Sequence, residues 1–527
     1  MDGFFFVFKP PIRRFLQIYN PKNPLICGKF FPLKSIHIFC NLQRPKNQNF
    51  SSKNQEMKQI ILFFAFLFTV NQSHSQENLP TDYLSKEFHK GRREAFRNLM
   101  PANSVAVIFS YPERVFSNDM NYKFHQNPDL YYLSGYKEPD AVLLIFKENQ
   151  GTGETYNEVF FVRERDAKKE IWTGRRLGID GTKSQLGFTA VYNGKDFKDF
   201  PINFKKFDKI IYDKIPTDLN ANQSGFDLFG LLQSFKTKAG ITTNDNTSLE
   251  LFADITNSLR EIKTLEEMEL MRKTVKLSCI AHNEVMKAVG PEMSENEAEG
   301  IHAYIHKRYG AEGEGYNPIV GAGANGCILH YEENNSTKID NQLLLMDVGS
   351  EYHGYSADVT RTIPANGKFT EEQKAIYQLV YDAQEAVFKI CKEGTPLIDL
   401  NATAKEVLAK GLTKLGIITD PKDVKLYYPH SCSHFLGLDV HDKFTFKGPQ
   451  SALKVNMVIT VEPGIYIPAG SKCDKRWWNI GVRIEDDIAI KKDSYENLSA
   501  DSPRKWQDIE KLAAEKSTFN DMKFPKI

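Results

Sequence analysis

A chain of 527 residues exceeds what one hydrophobic core usually supports, so at least two domains are expected. The composition, 41% hydrophobic and 26% charged, is that of a soluble globular protein. The formal net charge is +1, but residues 1–75 hold ten Lys or Arg against two acids, which leaves the remainder at −7 and argues against nucleic acid as a partner.

The first 75 residues read as a leader. Met57-Lys58-Gln59 precedes the apolar run Ile60 to Phe68 and then a polar stretch with small residues at Ser73 and Ser75. That succession is the one of a secretory signal peptide, and the run is too short to span a bilayer comfortably. Translation is therefore expected to begin at Met57, with residues 1–56 a start-site artefact and 57–75 the signal. The expected destination is outside the cell or the periplasm, with no stable membrane span after signal removal; without a working leader the protein would be cytoplasmic. Beyond the leader, Cys279, Cys327, Cys391, Cys432 and Cys473 are scattered and without CxxC spacing, which suggests neither a zinc ribbon nor a disulfide scaffold. Cys432 is read as a small buried thiol.

The charged segment Lys86 to Met100 has a helical pattern, and Ser104–Phe109, Val142–Phe146 and Val159–Val162 read as strands. Helix-compatible pieces alternate with these strands as far as Phe229, which predicts an α/β domain over 77–250, closed by the Thr- and Asn-rich stretch 240–248. Thr264-Leu-Glu-Glu267 forms a capping box that opens a helix to about Val289, and Ser294-Glu-Asn-Glu297 opens the next by the same device, ending near Gly310. Thr370-Glu-Glu-Gln373 begins a third helix and Asp399 a fourth, to about Leu415. With the β-rich stretches 341–363, 457–467 and 480–491, these predict an α+β domain over 260–505.

Chemistry concentrates in those stretches. Asp347 and Asp358 flank a chain reversal at Gly354. If the two face each other, the turn centres between Tyr352 and His353 and both carboxylates point to one face. Such close carboxylates repel unless a cation or shared proton intervenes. Glu462 emerges at the end of Met457-Val-Ile-Thr-Val461, before Pro463 and Gly464. Strand alternation around Ile480 to Glu485 projects Arg483 and Glu485 together, and His430, His434 and His441 fall within twelve residues. Four carboxylates and one imidazole, His434, can hold two metal ions; the donor set favours Mn²⁺, with Zn²⁺, Co²⁺ and Fe²⁺ possible. His302-Ala-Tyr-Ile-His306 has the spacing of the zinc-peptidase helix motif, but Ala303 stands where that motif needs Glu, so this pair is expected to face solvent.

The motifs MDVGSEYHGYSADVTRT, HSCSHFLGLDVHD, VEPGIY and GVRIEDD resemble aminopeptidase P (Xaa-Pro aminopeptidase), one of the pita-bread metallopeptidases. The likeness extends to Tyr122–Gly135, Glu138-Pro-Asp140 and Glu170–Arg176, similar to that family's creatinase-like N-terminal domain, and spans about residues 80–500. Two departures are His125, where Arg is expected, and Ser431, where Gly is usual after His430. The resemblance implies an α/β creatinase-like domain followed by an α+β pita-bread catalytic domain. It also implies metal ligation by Asp347, Asp358, His434, Glu462 and Glu485, with Asp358 and Glu485 bridging the two ions. A metal-bridging hydroxide would attack the first peptide bond, with Glu462 as general base and His330 and His441 binding substrate and steadying the negative charge. His430, Tyr466, Arg483 and Trp172 would surround a proline at the second position, a residue whose missing amide hydrogen and fixed φ defeat most aminopeptidases. The implied partners are such peptides and further copies of the chain, as a homodimer or homotetramer with the first domain reaching across subunits.

Three alternatives share the fold. Prolidase uses the same ligands on dipeptides only, creatinase lacks the ligands, and the non-catalytic binding modules have lost them.

Overall fold

The computed structural model describes residues 80–522 apart from 152–154, 215, 217–218, 220–226, 242–248, 446 and 449–450. The expected leader, with the expected signal peptide, therefore lies outside the described residues. These described residues belong to one compact unit.

Ser104–Phe109 and Val142–Phe146 are buried along their whole length because they form the middle of a five-stranded mixed sheet. Ser104–Phe109 pairs antiparallel with Val142–Gln150 and parallel with Lys209–Tyr212. Tyr156–Val162 then joins Val142–Gln150 to the edge strand Val191–Asn193. The period of two divides these strands between two cores. Ala106, Ile108, Leu143 and Ile145 pack with Phe88 and Phe96 of helix Lys86–Leu99 and with Phe252 and Ile255 of helix Leu249–Arg260. Val105, Val107, Val142 and Leu144 pack on the other face with Leu231, Leu232 and Phe235 of helix Leu228–Ala239. An α/β layer results, as the alternation predicts.

The second half is a set of short antiparallel sheets backed by helices Leu265–Ala288, Glu295–Arg308, Glu371–Phe388 and Leu397–Lys414. Thr264 and Glu267 exchange both bonds of their capping box, and Thr370 and Gln373 do the same. Ser294 accepts the Glu297 amide, but no return bond from Glu297 forms. The fourth helix starts at Leu397 behind Pro396, not at Asp399, which sits in its first turn. Leu343–Asp347 pairs with Thr360–Pro364 on one side and Ile319–Ala322 on the other. Val458–Val461 pairs with Asp486–Ile490, and Gly464–Ile467 with Ile480–Arg483. An isolated bridge between Thr360 and Glu485 ties the first of these pairs to the last segment. The result is the pita-bread architecture.

The hairpin register differs from expectation by one residue at its centre. Tyr352 pairs with Tyr355 and Asp347 with Thr360, so the loop is His353-Gly354 and Asp358 lies two positions out of register with Asp347. Both loop residues take positive φ, +52° and +84°, the requirement of a tight two-residue turn. A residue that is not glycine holds this conformation because its side chain is fixed on every side. His353 Nδ1 meets Glu312 at 3.0 Å, Nε2 meets Asp82 at 2.9 Å, and Tyr83 stacks on the ring at 3.6 Å. A shift of two positions preserves strand parity, so the two Asp residues still share a face.

The His302 and His306 expectation is overturned. Both are fully buried, and the His302 ring lies 4.6 Å from that of His282. Ala298, Ile301 and Ile305 occupy the same face of this helix, so the two histidines sit inside its apolar stripe.

Candidate metal centre

Strand ends bring the site together. Asp347 closes its strand and Asp358 precedes Thr360. Glu462 follows Val461, and Glu485 interrupts the run between Ile480–Arg483 and Asp486–Ile490. All four carboxylates, His434, His330, His430, His441 and Arg483 line one cleft of about 470 Å³. The His434 Nε2 atom is 3.3 Å from Asp358 Oδ2 and 3.6 Å from Glu462 Oε1, and its Nδ1 faces the Phe435 carbonyl at 3.0 Å. A histidine that spends one nitrogen on a backbone carbonyl keeps the other oriented for a cation. Donor atoms of Asp358, His434 and Glu485 all lie within 4.8 Å of one another.

Further groups fix these side chains. The Thr360 hydroxyl donates to Glu485 at 2.6 Å, and Arg483 reaches Asp347 Oδ2 at 2.5 Å. Arg361 donates to the Glu485 carbonyl at 2.6 Å and to Asp486 at 2.7 Å, holding the interrupted strand from below. The Asp358 amide donates to Asp487 at 3.1 Å. Tyr316, absent from the sequence reading, sets its hydroxyl 2.5 Å from Asp347 and 2.6 Å from Asp358. Its only signal was a place in the Tyr316-Asn-Pro segment just before strand Ile319–Ala322, because the contact spans 31 and 42 residues.

Of the residues expected around proline, His430 and Tyr466 meet at 2.9 Å, and the Tyr466 hydroxyl also accepts from Arg483 at 2.9 Å. These three stand together. Trp172 does not join them: it is 87% exposed on a short helix with no buried residue, outside the cleft formed by its own chain. His125 pairs with Glu351 at 3.0 Å, Ser431 lines the cleft, and Cys432 is buried with its thiol pKa raised by burial.

Charge among the clustered ligand candidates is unbalanced: the carboxylates of Asp347, Asp358, Glu462 and Glu485 face the Arg483 guanidinium and the His434 imidazole. Burial lifts Glu485 well above the ordinary carboxylate range, with Asp358 and Glu462 pushing further. Burial also raises Glu462 to about 7, with His434 pulling the other way and Asp358 adding to the rise. Asp347 is raised by burial against Arg483, whereas Asp358 stays low despite burial because His434 and Tyr316 hydrogen-bond to it. Burial alone would lower His434, but Asp358 and Glu462 outweigh it and bring its pKa to about 9. Divalent cations relieve such an excess of buried negative charge, so the donor set and its electrostatics fit a metal centre.

Carboxylates and an imidazole converging at strand ends of a pita-bread sheet define a metal-dependent hydrolase. Residues 269–492 match metallopeptidase family M24, and residues 89–212 match the aminopeptidase P N-terminal domain. The chain belongs to this family. It is 34% identical to the Xaa-Pro aminopeptidase of Escherichia coli K12 over 453 residues, covering 81% of this chain and 98% of that one. It is 32% identical to human Xaa-Pro aminopeptidase 3, with 79% and 82% covered. The solved aminopeptidase P of E. coli with the inhibitor Pro-Leu superposes with a TM-score of 0.73 at 33% identity, covering 82% of this chain and 98% of that one.

Proposed function

We propose that the protein removes the N-terminal residue from peptides whose second residue is proline, using two divalent cations held by Asp347, Asp358, His434, Glu462 and Glu485. The observation that carries this reading is the convergence of those five groups on one cleft beside His430, Tyr466 and Arg483. Bound there, a cation pair would supply Lewis acidity and would lower the pKa of a water at the centre. Glu462 takes the proton as general base, while His330 and His441, both facing the cleft, bind the substrate and stabilise the charge that develops on the carbonyl oxygen. His430, Tyr466 and Arg483 form one wall against the proline ring.

The relatives named Xaa-Pro aminopeptidase support this reading over prolidase, and the complete donor set disfavours a non-catalytic module. The resident ion is proposed to be Mn²⁺ on the balance of one imidazole against four oxygens. Trp172 and its helix, exposed in a single chain, are proposed to meet substrate only in a homodimer or homotetramer. The apolar run after Met57 supports export, with translation starting at Met57; among the described residues no helix is long and apolar enough to cross a membrane.

Arg-Pro-Pro and Gly-Pro distinguish the readings. Release of Arg from the tripeptide by the purified, Mn²⁺-loaded protein, abolished by a chelator, is expected. Hydrolysis confined to Gly-Pro would replace this function with that of a dipeptidase, and metal analysis would give the ion and its stoichiometry.

A further inference from the structure

Arg260, at the C-terminal end of helix Leu249–Arg260, is 1% exposed and gathers three carboxylates. Its guanidinium donates to Asp129 at 2.9 Å, to Asp439 at 2.6 Å and to Asp442. Lys263 donates to the other oxygen of Asp442 at 2.9 Å, and Lys443 to the other oxygen of Asp129 at 2.6 Å. Three acids and three bases thus balance. Two of the acids bracket His441, and Asp129 belongs to the first domain.

The loop they hold is short and closed. The Asp442 amide donates to the Phe435 carbonyl at 2.8 Å, and the Leu436 amide to Val458 at 3.1 Å. The Asp442 carboxylate lies directly against Gly437, where an added Cβ would stand 2.1 Å from Oδ2. The carboxylate therefore occupies the inside of the loop and fixes its curvature. His434 enters the loop and His441 leaves it, with their rings 4.3 Å apart at the cleft.

We infer that Arg260, acting through Asp442, is a positioning residue for His441, and that Asp129 anchors this hold in the first domain. The inference rests on the proposed role of His441. A planar fork that satisfies several carboxylates at once is needed, which an ammonium group does not supply. Arg260 touches no reacting atom; its effect passes through loop geometry.

Asp442→Asn and Arg260→Lys, in the Mn²⁺-loaded full-length enzyme with Arg-Pro-Pro, test this. Each is expected to keep the wild-type metal content and to lose about 10- to 100-fold in kcat, the range a displacement of about 1 Å produces. In a His441→Ala background the Arg260→Lys loss should shrink below about threefold, because the group it places is gone. A wild-type kcat in the variants, or an undiminished loss in the His441→Ala background, overturns the inference. Arg260→Lys decides the matter if Asp442→Asn does not fold. A crystal structure of the metal-loaded variant gives a reading free of substrate: displacement of residues 436–441 supports the inference, and an unmoved loop overturns it. Should the wild type leave Arg-Pro-Pro intact, the functional reading falls while this structural measurement still decides the positioning role.

Discussion

Two buried clusters of charge lie close together in this molecule and are built on opposite terms. Around Arg260, three carboxylates meet three cationic side chains, and burial does not prevent Asp442 and Asp129 from staying below the ordinary carboxylate range, because Arg260 lies beside both, with Lys263 facing Asp442 and Lys443 facing Asp129. Around Glu485, four carboxylates meet one guanidinium and one imidazole, and burial drives two of them far upward. Balance marks a cluster whose work is architectural. Imbalance marks one whose charge suits a bound cation, and here it coincides with the cleft.

The largest expected effect breaks the unbalanced cluster. Asp358→Ala or Glu485→Ala should lower turnover of Arg-Pro-Pro by about 10³-fold or more, the several kcal/mol that a catalytic cation supplies to a transition state. Retained turnover would remove these residues from the mechanism. The balanced cluster should respond in stability: Arg260→Ala leaves three acids facing two lysines and should cost about 3–5 kcal/mol in urea unfolding of the metal-loaded protein. Smaller again, Tyr316→Phe removes a hydroxyl shared by Asp347 and Asp358 and should weaken metal binding about 10- to 100-fold by competition with a chelating dye.

A third buried group sharpens the contrast, since it carries no compensating charge beyond Glu314. Burial lowers His282 to about 3, with Arg361, the Val348 carbonyl and His306 as neighbours, and takes His302 well below 6.5, with His282 and His306 beside it. Glu314 faces His306 at 3.6 Å. Both His282 and His302 are neutral when folded, whereas the unfolded chain takes up protons near 6.5. Stability is therefore complete above pH 6.5 and falls as pH drops below it. At pH 5 each should cost about 2 kcal/mol relative to pH 7, and His302→Leu should flatten that slope in urea melts.

Much of the site was legible because it is built on strands. Period two placed Arg483 and Glu485 on one face, and a chain reversal between two acids announced their convergence. The turn centre was misplaced because Gly354 supplies only one of the two positive-φ positions; the other is His353, held by Asp82, Glu312 and Tyr83 from distant segments. Tyr316 and the Arg260 network depend on contacts up to 314 residues apart that no local pattern carries. The burial of His302 was different. Ala298, Ile301 and Ile305 already traced the inward stripe, but the spacing of the two histidines drew the reading toward chemistry and away from the face they share.

The clasp of Asp82 and Tyr83 on the hairpin tip makes the approach to the first domain a support of the second. Lys273 and the Tyr352 hydroxyl also grip Asp82, the latter at 2.8 Å, and Lys137 lies over the Tyr83 ring. A polypeptide lacking Asp82 and Tyr83 would lose the brace on the ribbon that carries Asp347 and Asp358, so this short segment ahead of the first helix helps to hold a cleft it never touches.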